Sequence, residues 1–240
     1  GEALLTVDKA LTVHPDNGNL KQWRAWLLLQ IGFVDEAIAT GDHDAELFGF
    51  MMQGRFDEAR ALVDAGLGSE AEEGAHWYWH ARDLLRLASD GPADPAFDEL
   101  LAKHIAVLEQ NRVPWREQCN LALISDLRAA GRHEETEGMM ANCRDRYEER
   151  IKVRYLCPCS FFGLVLFTIL DGRHDEAIDR AGQWLNNGDA NSWLPYSHVF
   201  AELKGRPEYA DLLARNEEQL ERQRRIYEAG QSPAADSAHP

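Results

Sequence analysis

The stretch Gly172-Arg173-His174-Asp175-Glu176-Ala177-Ile178 decides the fold, because the chain writes it more than once. Gly32-Phe33-Val34-Asp35-Glu36-Ala37-Ile38 and Gly54-Arg55-Phe56-Asp57-Glu58-Ala59-Arg60 are close copies. Gly131-Arg132-His133-Glu134-Glu135-Thr136 is a weaker one, and Gly205-Arg206-Pro207-Glu208-Tyr209-Ala210 is degenerate. Each copy has one physical reading. An apolar helix ends at a glycine free to take positive φ, and an acidic pair then sits at the positive N-terminus of the next helix. The alanine that follows lets the two helices approach closely. The phrase therefore predicts helix, tight turn, helix, several times over.

The rest of the chain fits between these turns. Helices are expected over Ala3–Val13, Leu20–Ile31, Asp35–Ala39, His43–Met52 and Phe56–Ala65. Glu70–Ala88 is a longer one, and Ser89–Pro95 reads as the clearest loop in the middle of the chain. Phe97–Gln110, Pro114–Ala130, Gly131 to about Arg150, Pro158–Leu170 and Asp175–Asn186 follow. Trp193–Leu203 and Glu208–Ala229 form the last pair. The first stripe of apolar residues is clear in Phe97–Gln110, where Leu100, Leu101, His104, Ile105 and Leu108 share a face. No stretch alternates with period two, so no sheet is expected. Residues 1–229 read as one helical repeat domain, and 230–240, rich in Ser, Ala and Pro, as a disordered tail.

Composition narrows the function. Acidic residues outnumber Lys and Arg by 41 to 25, giving a formal charge of −16. That surface repels a polyanion, so direct nucleic-acid binding is not expected. From Asp35 to Glu99 there are 16 acidic residues against 4 Arg and no Lys. Such a face either keeps the protein in solution or receives a basic partner. The apolar run Phe161–Leu170 falls well short of the roughly 20 residues that span a bilayer. With no signal peptide legible, a cytoplasmic location and no membrane insertion are expected. A chain that starts at Gly1 inside a helix reads as part of a longer protein, whose missing portion would hold an activity.

Chemical motifs are sparse. His76 and His80 lie four apart on one helix face but lack the Glu of a zinc-protease pattern, and flanking Trp77, Tyr78 and Trp79 favour packing. Cys119, Cys143, Cys157 and Cys159 lack the paired spacing of a zinc knuckle or a secreted disulfide frame. They read as buried or half-buried free thiols. There is no Gly-rich phosphate loop and no nucleophile elbow. No catalytic residue, metal or cofactor is expected.

The turn glycines at 32, 54, 131, 172 and 205 are unevenly spaced. With one worn pair placed in the longest interval, the mean period lies near the 34 residues of a tetratricopeptide repeat. Asp8-Lys9-Ala10-Leu11-Thr12-Val13-His14-Pro15-Asp16-Asn17 resembles the end of such a repeat, and Gly-x-x-Asp-Glu-Ala resembles the centre of the next. The closing segment, from Trp193-Leu194 through Phe200–Leu213 to Gln219–Arg225, is similar to the tetratricopeptide-like tail of certain bacterial multidomain regulators or cyclases. The resemblance implies an all-α, right-handed α/α superhelix of about six irregular helix pairs, closed at its open end by a C-terminal capping helix. It also implies that the first helix of each pair lines a concave groove. Carrying the register across places Gln22, Trp26 and Leu29 there, then Asp44, Phe48 and Met51, then Tyr78 and Arg82. Leu121, Ser125, Phe162 and Leu166 continue it. The carboxylate clamp of chaperone-binding relatives is missing.

The expected function is a non-enzymatic interaction or sensing scaffold, a module of a bacterial regulatory protein. Trp26, Phe48, Met51, Tyr78 and Arg82 would form its groove, for a protein or peptide with an apolar anchor and basic flanks. The rivals are a regulatory domain that binds a small molecule and an enzyme built on an α/α-toroid.

Overall fold

The computed structural model describes residues 1–67, 81, 82, 84, 95–152, 158–186, 190–192, 194–196 and 198–231. Among them are eleven α-helices and no strand, so the protein is all-α as the phrase predicts. The helices are α1 (Glu2–Val13), α2 (Gly18–Ile31), α3 (Val34–Ile38), α4 (His43–Met52) and α5 (Phe56–Leu67). They continue as α6 (Pro95–Gln110), α7 (Leu121–Ala129), α8 (His133–Lys152), α9 (Pro158–Leu170), α10 (His174–Asn186) and α11 (Pro207–Gln231).

The repeated phrase does what its residues require. Gly32, Gly54, Gly131, Gly172 and Gly205 all have positive φ, between 70° and 88°. In the first four copies the glycine N–H and the next residue's N–H reach back three and five residues to helix carbonyls, as in Phe33 N to Leu28 O at 3.0 Å and Arg173 N to Thr168 O at 3.0 Å. This paired bonding satisfies carbonyls that a helix end would otherwise leave open. The alanines of the phrase, Ala37, Ala59 and Ala177, are fully buried at the close approaches. In three copies an Arg follows the glycine and pairs with the Glu three residues on: Arg55 with Glu58, Arg132 with Glu135 and Arg173 with Glu176. Asn17, Asp42 and Asn120 cap α2, α4 and α7 through their side-chain oxygens, each accepting from the N–H three residues later.

Three expectations of element type change. Pro114–Ala130 is not one helix. It is a 3-10 turn at Trp115–Glu117, an extended link, and α7 starting behind the Asn120 cap. Of Trp193–Leu203 the described residues form two 3-10 segments, Leu194–Tyr196 and His198–Leu203, in place of an α-helix. Helix α11 runs on through Gly230 and Gln231, past the expected end of the domain; 232–240 lie outside the described residues, as do most of 70–88.

Among the described residues the helix pairs bury one large core and two small ones. The large core runs from Phe97 through Trp115, Leu123, Phe167 and Trp184 to Tyr209 and Leu212. The small ones lie under α1–α4, around Leu4, Ala25, Leu28 and Ala45, and under α4–α5, around Leu47, Met51, Ala59 and Val63. No helix among the described residues is long and apolar enough to cross a membrane.

Among the described residues the last helix does not stand at an open end. Helix α11 packs on α10 but also on α1 and α2, so the last helix meets the first. Asp8 on α1 accepts from Arg24 Nε at 2.7 Å, Tyr227 Oη at 2.8 Å and Gln231 Nε2 at 2.8 Å. Burial first, and Asp8 after it, raise the Tyr227 hydroxyl above its ordinary pKa and keep it a donor. Phe33 packs against the Tyr227 ring at 5.5 Å. Ser192 donates its N–H to Gln30 O at 2.9 Å and its hydroxyl to Leu29 O. Helix α11 thus joins the two ends of the array rather than capping one of them.

Candidate functional site

Helix α2 buries Ala25, Leu28, Leu29 and Ile31, which turns Asn19, Gln22, Trp23, Trp26 and Gln30 toward the other side. Trp23 is 63% exposed and is, with Val13, one of the two large apolar side chains left in water among the described residues. Trp26 lies one turn on and is half-buried. Its ring meets Phe48 of α4 at 5.3 Å, tilted by 53°, within the favourable range for an aromatic pair. Met52, four residues after Phe48, is half-buried on the same stripe of α4. Together these side chains form an aromatic face shared by α2 and α4.

The expected groove residues separate into three fates. Trp26 and Phe48 come together on this face. Met51 is only 1% exposed and belongs to the core between α4 and α5, so it cannot line a surface groove; its neighbour Met52 takes that place. Arg82 is fully buried, held by Asp126 of α7 and His104 of α6, and is likewise removed from any open groove. Tyr78 lies outside the described residues, as do His76 and His80. Of the neighbouring groove positions, Gln22 is exposed, Leu29 and Ser125 are buried, and Leu121 and Leu166 are half-buried. Trp23 was missed. It stands one turn before Trp26 on the face that Gln22 also marks, and that spacing was the available signal.

The ground around the aromatic face is acidic. Between Asp35 and Asp64 there are eight acidic residues and two Arg. One of those, Arg55, is tied to Glu58 at 2.5 Å, which holds the Glu58 carboxyl below its ordinary range. Arg55 also lies over the Phe50 ring at 4.3 Å. Asp35 and Glu36 of α3 are exposed, and Asp42, Asp44 and Glu46 crowd the start of α4. Asp44 precedes Phe48 by one turn on the same stripe.

The Arg82 cluster is a second constellation, inside the protein. Arg82 donates from Nε at 2.9 Å and Nη2 at 2.8 Å to Asp126 Oδ2, and from Nη1 at 3.0 Å to His104 Nδ1. Arginine can only donate, so His104 carries its proton on Nε2 and is neutral. Burial, reinforced by the adjacent guanidinium, lowers the His104 pKa from 6.5 to about 3. The cluster ties the segment containing Arg82 to α6 and α7. Buried and held by these three bonds, it acts as a joint.

Cys119 and Cys143 are joined in a disulfide, which corrects the reading of both as free thiols. Their 24-residue separation gives no local signature, yet the turn after α6 brings the two Cα atoms to 4.7 Å. Among the described residues no group of three or more His, Cys, Asp and Glu side chains is placed to hold a metal ion. No protein-family model, no curated protein and no solved structure matches the chain.

Proposed function

We propose that this chain is a non-enzymatic interaction module of tetratricopeptide-like helix pairs, part of a bacterial regulatory protein of the cytoplasm. Its partner is a protein segment with an apolar anchor and flanking Lys or Arg, docked on the aromatic face of α2 and α4. The observation that carries the reading is Trp23, a large indole exposed beside the Trp26–Phe48 pair on acidic ground. An exposed aromatic cluster of this kind supplies binding energy once it is desolvated. The surrounding carboxylates speed encounter with a cation and select against acidic segments.

Titration with short peptides that share one Leu or Trp anchor but carry Lys/Arg, Ser or Glu flanks tests it. Basic flanks should bind most tightly, and the affinity should fall as salt rises, because exposed charges are screened beyond about 8 Å at physiological ionic strength. Trp26→Ala should weaken capture. Equal binding of acidic and basic peptides, or capture unaffected by loss of Trp26, would overturn the reading.

A further inference from the structure

The chain between α6 and α7 is the place where covalent chemistry meets an irregular backbone. Residues 111–120 contain Arg112, the one non-glycine residue with positive φ among the described residues, and the 3-10 turn Trp115–Glu117. The segment lies on α8. Trp115 is buried in the large core, yet its indole N–H finds no acceptor among the described residues. That unpaired donor works against the docked position. Among the described residues, the side-chain polar ties from the segment to α6 and α8 are a bond from Asn142 Nδ2 to Glu117 O at 3.0 Å and pairs from the exposed Arg116 to Glu109 at 3.2 Å and to the half-buried Glu135 at 3.7 Å. Exposed pairs of this kind hold weakly. A cavity of about 320 Å³ runs along the segment past Val113, Pro114 and Trp115. The strongest polar or covalent tether is therefore the bond from Cys119 to Cys143 of α8.

The two sulfurs are unequal. Cys143 is fully buried among Met139, Met140 and Tyr147, whereas Cys119 is half-buried at the edge of the core. Cys119 is the sulfur a reductant can reach. Once released, the Cys143 thiol stays in apolar surroundings, where a free cysteine behaves as a small hydrophobic side chain. The reduced core thus has no new buried charge to accommodate.

We propose that Cys119–Cys143 is a thiol–disulfide exchange site through which a dithiol reductant controls docking of the Trp115 segment on α8. One thiolate of the reductant attacks Cys119 Sγ, the S–S bond breaks, and Cys143 leaves as a thiolate that takes up a proton. The second thiolate attacks the mixed disulfide, Cys119 leaves and is protonated in turn, and the reductant ends as its own disulfide. Two electrons pass to the protein. Closure runs the same steps backward with a disulfide-bearing oxidant. In a reducing cytoplasm the segment is released, and under oxidation it is pinned.

The test uses the whole chain, untreated and after dithiothreitol, beside Cys119→Ser and the control Cys157→Ser. Alkylation under denaturing conditions should label two of the four cysteines before reduction and all four after it. Hydrogen exchange at residues 111–120 should quicken by about tenfold in the reduced protein and in Cys119→Ser, with α2 and α10 unchanged. Cys157→Ser should keep the redox response. Four labelled cysteines in air-oxidised protein, or a bond that involves Cys157 or Cys159, would overturn the proposal. Exchange that does not respond to reduction would make the bond a fixed staple, and general loosening on reduction would make it a global cross-link; either result refutes control of this segment.

Discussion

Residues 1–67 and residues 95–231 use the same helix–glycine–helix phrase but treat their aromatic side chains in opposite ways. In the first region the helices meet over alanine. Ala25, Ala37, Ala45 and Ala59 fill the close approaches and leave no volume for an indole. Trp23 stays in water, and Trp26 and Phe48 lie half-buried. In the second region irregular 3-10 links stand between the helix pairs. Trp115, Phe167, Trp184, Phe200 and Tyr209 all enter one continuous core. Aromatic content therefore marks a docking face only where the neighbouring core is too narrow to accept the rings.

Arg82, whose neighbours Ala81 and Leu84 belong to the α4–α5 core while its guanidinium is held by α6 and α7, gives the largest effect. Asp126→Ala strands Arg82, a fully buried guanidinium, and should destabilise the protein by about 3–5 kcal/mol. Urea denaturation would show it as a lower midpoint. A loss below about 1 kcal/mol would mean that the guanidinium finds water and that the two regions are not locked through it.

The same joint makes the protein sensitive to mild acid. His104 has a folded pKa of about 3 against an ordinary 6.5, so the unfolded chain binds a proton across that interval and the folded one does not. Its contribution is intact above pH 6.5. Below about pH 6 stability should fall by about 1.4 kcal/mol per pH unit, until the folded group also titrates. Between pH 6.5 and 5, His104→Gln should flatten the profile. An unchanged slope would assign the acid sensitivity to other groups.

The shared phrase itself predicts equal, smaller effects in both regions. Gly54 and Gly172 have φ of 70° and 75°, and an added Cβ would meet no atom within 4 Å at either. Gly54→Val and Gly172→Val should each cost about 1–2 kcal/mol through backbone strain alone. Melting temperatures that drop for one and not the other would show that the two copies differ in more than their surroundings.

What the sequence disclosed follows from how local each feature is. The turn glycines, acidic helix starts and buried alanines of the repeated phrase are fixed within a few residues, and these were legible. Gly41, with φ of 73°, lacks the acidic pair of the phrase and was passed over, although Asp42 three residues before Ala45 is a capping signal. The groove register slipped by one position, from Met52 to Met51, and one residue turns a helix by about 100°. That was enough to exchange surface for core. The Cys119–Cys143 bond and the seam between Asp8 and Tyr227 join residues 24 and 219 apart, and no local pattern reports such pairs. One clue to the seam was present: the expected helix Glu208–Ala229 is already about 33 Å long, and the helix observed, at 25 residues, is longer still.

The smallest expected change in stability carries the most functional weight. Trp23 is exposed, so Trp23→Ala removes little that the fold has buried, and stability should move by no more than about 0.5 kcal/mol. Met51 is its counterpart from the core, where Met51→Ala should cost about 2–5 kcal/mol. If α2 and α4 form a docking face, Trp23→Ala should weaken capture of a basic, apolar-anchored peptide by about tenfold or more, as loss of a central aromatic contact does. Trp23→Phe should recover part of that loss, since it restores apolar area without the indole N–H. Calorimetric titration and thermal melting on the same samples separate the two properties. A variant that melts like the parent and binds like the parent would remove Trp23 from the face. The comparison would then stand as a difference in packing alone, and the partner's surface would have to lie elsewhere on the chain.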